Sequence, residues 1–165
     1  MIRSLRIITV TILVLIPHSV TGCSCIPLDV PAALRSADSV FRGRVTQIKW
    51  LKQVGDPLFG ERRTIVTFRV SGVYKGQVAS TAQLHTQENR TSCAGFNFLS
   101  GHEYIVYAYA YTANQWHSDS ASSSSPSIRS SEKFLGTSIC SRTNEVVNAL
   151  QDLRELGRPH HPDPA

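Results

Sequence analysis

The sequence predicts a mostly β domain, with five short strands closing into a small barrel, one short helix before them and one helix after them. Three observations point there. Apolar and polar residues alternate around Phe41 and around Phe68, the period-two pattern of a strand with one face buried. Gly72 interrupts the second of these runs, which suggests a bulge or a bend at a barrel corner. Segments near Ala33 and Leu150 bracket the strands with apolar residues at helical spacing.

At 165 residues the chain is sized for one domain once a leader is set aside. Residues 1–22 read as a signal peptide: Arg3 and Arg6 come first, an apolar run follows from Ile7 to Ile16, and short residues stand at Val20 and Gly22. The run is too short for a permanent membrane span. The leader holds two Arg and no acid, so its removal lowers the net charge from +5 to +3. That surplus gives no reason to expect nucleic acid as a partner.

In the domain expected at 23–157, Ile26-Pro27 should be extended, because proline restricts both its own φ and its predecessor. Asp29 is placed to cap a helix with Pro31 in its first turn and Ala33, Leu34 and Ala37 on its apolar side. The first strand starts at Val40, with Phe41, Gly43 and Val45 on one face and Arg42, Arg44 and Thr46 on the other. Trp50 to Arg63 reads as a long hairpin loop, with turn residues at Gly55-Asp56-Pro57 and Gly60. The second strand turns Val66, Phe68 and Val70 inward, and a weaker third covers about Ser80 to Thr86. His102 to Tyr111, rich in Tyr, Ile and Val, suits the fourth. Ser118 to Ser131 is serine-dominated and reads as a solvated loop before a fifth strand at Phe134 to Cys140. From Thr143 a helix should present Val146, Val147, Leu150 and Leu153 as one stripe and end at Gly157 and Pro159. The tail, 158–165, is expected to be disordered. Five bent strands with these two helices suit a partly closed barrel of the OB type.

The chemistry concentrates at Cys23-Ser24-Cys25. No HExxH, Walker loop or GxSxG elbow is present, so a non-enzymatic role is expected. An exported chain with four cysteines, the others being Cys93 and Cys140, reads first as a two-disulfide protein. Three readings of the tripeptide compete. It is a metal pair of this chain's own, though an oxidising compartment favours disulfides. It is a lipidation site, since Val20-Thr21-Gly22-Cys23 satisfies a permissive lipobox and would anchor the protein to a membrane. Or cleavage after Gly22 frees the Cys23 amine, which with the Cys23 carbonyl forms a five-membered chelate on the catalytic zinc of another protein. An α-amine titrates near 7.7–8.0, so zinc displaces its proton readily at neutral pH. With no residue before Cys23, no peptide bond lies across the metal to be cut.

A CxC start followed by a short helix and a five-stranded barrel resembles the N-terminal, netrin-like domain of the tissue inhibitors of metalloproteinases. The resemblance extends through Val73-Tyr74-Lys75-Gly76, Thr91-Ser92-Cys93-Ala94, Gly101-His102-Glu103-Tyr104-Ile105-Val106 and Leu135 to Cys140. It implies a netrin-like OB barrel with disulfides Cys23–Cys93 and Cys25–Cys140, each worth up to roughly 4–5 kcal/mol on the chain-entropy account. It implies a protease-binding ridge made of Cys23, Ser24, Cys25, Ile26 and Pro27 together with Thr91, Ser92, Cys93 and Ala94, with Ser24 facing the protease's specificity pocket. The zinc belongs to the partner metalloendopeptidase, no cofactor of the chain's own is implied, and the protein is expected to be secreted and monomeric. Two features depart from the family: the first helix carries no cysteine, and the six-cysteine C-terminal domain is missing. An exported netrin-like binding module, free or lipid-anchored through Cys23, is therefore the alternative. Asn89-Arg90-Thr91 is a glycosylation sequon beside the expected ridge.

Overall fold

The computed structural model describes residues 25–51, 63–87, 95–112 and 133–164. Asp29 caps helix α1 (Val30–Ser36): its carboxylate accepts the Ala32 N–H at 2.7 Å, and Pro31 sits in the first turn, where its missing N–H costs nothing. The strands are β1 (Ser39–Trp50), β2 (Arg63–Lys75), β3 (Thr81–Gln87), β4 (Glu103–Thr112), β5 (Lys133–Gly136) and a two-residue β6 (Asn144–Glu145). A 3₁₀ turn, Val146–Asn148, leads into helix α2 (Leu150–Leu156).

The strands close a barrel in the order β1-β2-β3-β5-β4 and back to β1. The pairings are antiparallel except β3 with β5, which is parallel. This is the expected mostly β, OB-type architecture. Strand β1 joins the two sides of the barrel, pairing with β2 over most of its length and with β4 through Ser39–Arg44. Register slips along β1–β2 supply the bending that closure needs. At one slip Arg42 faces Gly72 and Gly43 faces Val70, so Ser71 is the extra residue. The bulge expected at Gly72 is there.

Among the described residues two apolar clusters hold the fold. Inside the barrel, the alternating residues Phe41, Val45, Val66, Phe68 and Val70 meet Leu84, Phe98, Tyr104 and Val106. Phe68 packs edge-on against both Phe41 and Phe98, at 5.6 and 5.2 Å between ring centres. Outside it, Val40, Ile105 and Tyr107 are covered by Ala33 and Ala37 at the α1 end and by Ala149, Leu153 and Leu156 at the α2 end. Residues that a period of two places on the outer face are thus buried by the helices.

The fifth strand, expected over Phe134 to Cys140, ends at Gly136, and two further expectations need correction. The C-terminal stripe does not form as one helix face. Thr143 is buried in a hydrogen-bond cluster, Asn144–Glu145 pair with β4, and the 3₁₀ turn changes the angular spacing before α2 begins. Val146 and Leu153 pack inward, but Val147 and Leu150 are 72% and 56% exposed. The tail is not disordered over residues 158–164. Strand β3 pairs only with Arg63–Arg69 of β2, which leaves the edge at Val73 open. His160 fills it, exchanging backbone hydrogen bonds with Val73 at 2.8 and 2.9 Å, and Asp163 bonds to Val78 and Ser80. Most of the Trp50–Arg63 hairpin loop and all of Ser118–Ser131 lie outside the described residues.

Candidate functional site

Of the expected ridge, Cys25, Ile26 and Pro27 are described; Cys23, Ser24, Thr91, Ser92, Cys93 and Ala94 lie outside the described residues, and so does the Cys23–Cys93 pairing. Cys25 is bonded to Cys140 with their Cα atoms 5.2 Å apart, as the resemblance implied. The disulfide fixes the start of the described chain against the turn that follows β5. A depression of about 270 Å³ separates the two segments, bordered by Ile26, Leu28, Ile139 and Arg142. Ile26 is 84% exposed and Pro27 is also on the surface.

A second anchor follows three residues later. The Arg142 guanidinium donates to the Leu28 carbonyl oxygen at 2.7 Å. It also grips Asp152 on α2 with two hydrogen bonds, Nε to Oδ1 at 2.8 Å and Nη2 to Oδ2 at 3.2 Å. Asp152 is buried and accepts a further bond from the Tyr107 hydroxyl on β4 at 2.7 Å. The carboxylate holds the Arg142 pKa above its ordinary value, with burial acting against it. Burial, and then the bond to Asp152, push the Tyr107 phenol well above its usual range. Behind this chain of bonds the Thr137, Ser141 and Thr143 hydroxyls cluster at 2.7–3.0 Å, and Thr143 Oγ1 accepts the Tyr107 N–H at 3.0 Å. The N-terminal segment is thereby tied through Arg142 to α2 and to the middle of β4.

Sequence reasoning missed this network. Arg142 and Asp152 stand ten apart with no helical or strand period joining them, and Thr143 reads as a helix start. One signal was available: Asp152 stands between Leu150 and Leu153 of the expected apolar stripe, and a carboxylate buried beside such a face needs a partner.

The other half of the expected ridge, Thr91 to Ala94, lies outside the described residues, which resume on either side of 88–94 at Gln87 and Gly95. Gln87 closes β3, and Gly95 packs on the Gln87 carbonyl with φ +82. A Cβ at Gly95 would collide with that carbonyl, so position 95 requires glycine on both steric and backbone grounds. Next to it Phe96 N–H donates to Thr86 Oγ1 at 2.7 Å. The two ends of the segment carrying Thr91–Ala94 are therefore pinned against each other.

Among the described residues, no group of three or more His, Cys, Asp or Glu side chains is arranged to hold a metal ion. No known protein family and no curated protein matches the chain.

Proposed function

We propose that the protein is a secreted inhibitor of zinc metalloendopeptidases, acting through the amine and carbonyl of a mature N-terminal Cys23. The observation that carries this reading is the double anchoring of the segment immediately after Cys23-Ser24. Cys25–Cys140 and Arg142 with Leu28 O hold it on the barrel while Ile26 remains 84% exposed. A ligand held rigid before binding loses little conformational freedom when it docks. The Cys23 amine nitrogen and carbonyl oxygen would occupy the coordination position that a catalytic zinc keeps open for water. Ser24 would enter the adjoining specificity pocket, with Ile26, Pro27 and Thr91 to Ala94 completing the contact. The zinc is the protease's, and this chain supplies no cofactor.

The test changes only the chelating nitrogen. Acetylating the Cys23 amine, or adding one alanine before it, converts the nitrogen into an amide, a poor metal ligand. Against a zinc endopeptidase that the unmodified protein inhibits, inhibition should disappear while the melting temperature stays constant. Full inhibition by the alanine-extended, uncleaved protein overturns the chelate. Intact mass of the mature protein separates the alternative: a lipid-sized addition at Cys23 indicates the anchored binding module that Val20-Thr21-Gly22-Cys23 also permits.

A further inference from the structure

We propose that the mouth of the barrel is a binding site for a small, neutral, apolar molecule carrying one hydrogen-bonding group, with the Thr64 hydroxyl as its polar contact. The site is independent of the Cys23 reading.

Strands β1 and β2 continue together to the barrel's end, where Ile48 faces Val66 and Trp50 faces Thr64. On the other side of β2, Thr64 faces Thr86 of β3. The segment after Gly95 crosses this end, where Phe96 and Phe98 pack against the interior cluster with their ring centres 4.6 Å apart and their planes tilted by 47°. The crossing leaves a cavity of about 400 Å³, lined chiefly by Ile48, Val66, Phe96, Phe98 and Leu99. Small-molecule sites begin at about 300 Å³, whereas close-packed interiors leave few voids larger than a water. Trp50 and Leu99 are 54% and 52% exposed at its rim, an apolar doorway.

Thr64 supplies the second, independent observation. It belongs to the inward row of β2 with Val66 and Phe68 and is only 4% exposed. Its hydroxyl has no hydrogen-bond partner among the described residues. Thr86, its cross-strand neighbour, meets the backbone of Phe96 instead. A buried hydroxyl without a partner is costly unless something completes it. The oxygen is closed off from the cavity as it stands, so a ligand carbonyl, hydroxyl or N–H completes it after Thr64 turns about χ1 and brings the hydroxyl to the cavity wall. The lining side chains, including the amides of Gln87 and Asn97, carry no charge among the described residues. A carboxylate or ammonium ligand would be desolvated there without a counter-ion, which selects a neutral occupant.

The probe is N-phenyl-1-naphthylamine, which is neutral, largely apolar and carries one N–H. Titrated into the disulfide-bonded mature protein, it should show saturable, one-to-one fluorescence enhancement and shift the methyl NMR signals of Ile48, Val66 and Leu99. Leu99→Glu puts a charge at the exposed rim and should weaken binding at least tenfold, on the order of the penalty for an unpaired charge. Thr64→Val keeps the side-chain shape and should weaken binding about three- to tenfold, while the unliganded protein melts higher for losing an unsatisfied hydroxyl. Val147→Glu, on the 3₁₀ turn, should bind as the parent does. Absence of saturable binding overturns the site, as does equal affinity in Leu99→Glu or methyl shifts confined to other residues. Unchanged affinity in Thr64→Val overturns the role of the hydroxyl. If that variant does not fold, the exposed Leu99 substitution and the methyl shifts still decide the site.

Discussion

Arg142 and Tyr107 meet at one buried carboxylate, and their geometry makes a pH prediction. The Tyr107 phenol has a folded-state pKa raised above its ordinary value near 10, first by burial and then by its bond to Asp152. Its contribution to stability is therefore complete below the unfolded pKa. It is lost as pH rises from about 10 toward the folded value, because the unfolded chain releases a proton that the folded chain retains. Tyr107→Phe removes the titrating group and one donor to Asp152, at a cost of about 1–3 kcal/mol near neutrality. The stability gap between parent and variant should then narrow by up to roughly 1.4 kcal/mol per pH unit above 10. Denaturant melts at pH 8 and 10.5 measure it. A constant gap would mean that the phenol is open to solvent. Glu103 acts at the other end of the scale. Its hydrogen bond from Arg42 lowers its pKa although burial opposes this, so its contribution is present above the ordinary carboxylate pKa and fades as acid titrates it.

At the scale of elements, the tail behaves as an edge cover. Val73 N–H donates to His160 O at 2.9 Å and Ser80 N–H to Asp163 O at 2.8 Å, and Pro159 occupies the space where a Cβ on Gly72 would stand, 2.7 Å away. Ending the chain at Gly157 should lower stability by about 1–2 kcal/mol, since each net hydrogen bond is modest and ordering the tail costs entropy. Amide exchange at Val73 and Ser80 should accelerate while Val66, inside the β1–β2 ladder, stays protected. Unchanged exchange at both sites would rule out the docking. This element also shows where the sequence was legible. Strands β1, β2 and β4 could be read because alternation and β-branched or aromatic residues are local signals, and α1 because Asp29 and Pro31 mark its start. The tail could not, because its partner is an edge left open by a long-range mismatch between β2 and β3. The last helix was misplaced for a related reason: Thr143 is claimed by the backbone of Tyr107 and by neighbouring hydroxyls, a tertiary demand that overrides helical spacing. At the site, the cysteines were visible as residues, but the Arg142–Asp152–Tyr107 chain joins three elements and leaves no periodic trace.

For the whole molecule, the Cys25–Cys140 bond closes a span of 115 residues, so nearly the entire domain lies inside one covalent loop. The barrel does not depend on it for closure, because backbone pairing runs unbroken from β1 around to β4 and back. The two contributions should separate in a variant carrying Cys25→Ala and Cys140→Ala. Its native state should retain the barrel's spectrum. Stability should fall by up to about 4–5 kcal/mol, because the unfolded chain is released from the loop, and the denaturant m-value should rise as that unfolded chain expands. The segment before α1 would then be held mainly by the part-buried hydrogen bond from Arg142 to Leu28 O, an anchor that fluctuates more than a covalent one. If the proposed inhibition depends on a rigid ridge, the inhibition constant should worsen at a temperature where both proteins are more than nine-tenths folded. Adding the loss of Arg142, by Arg142→Leu, should worsen it further, whereas the tail truncation should not affect it. Equal inhibition by the disulfide-free variant under those conditions would show that the ridge is positioned without the staple.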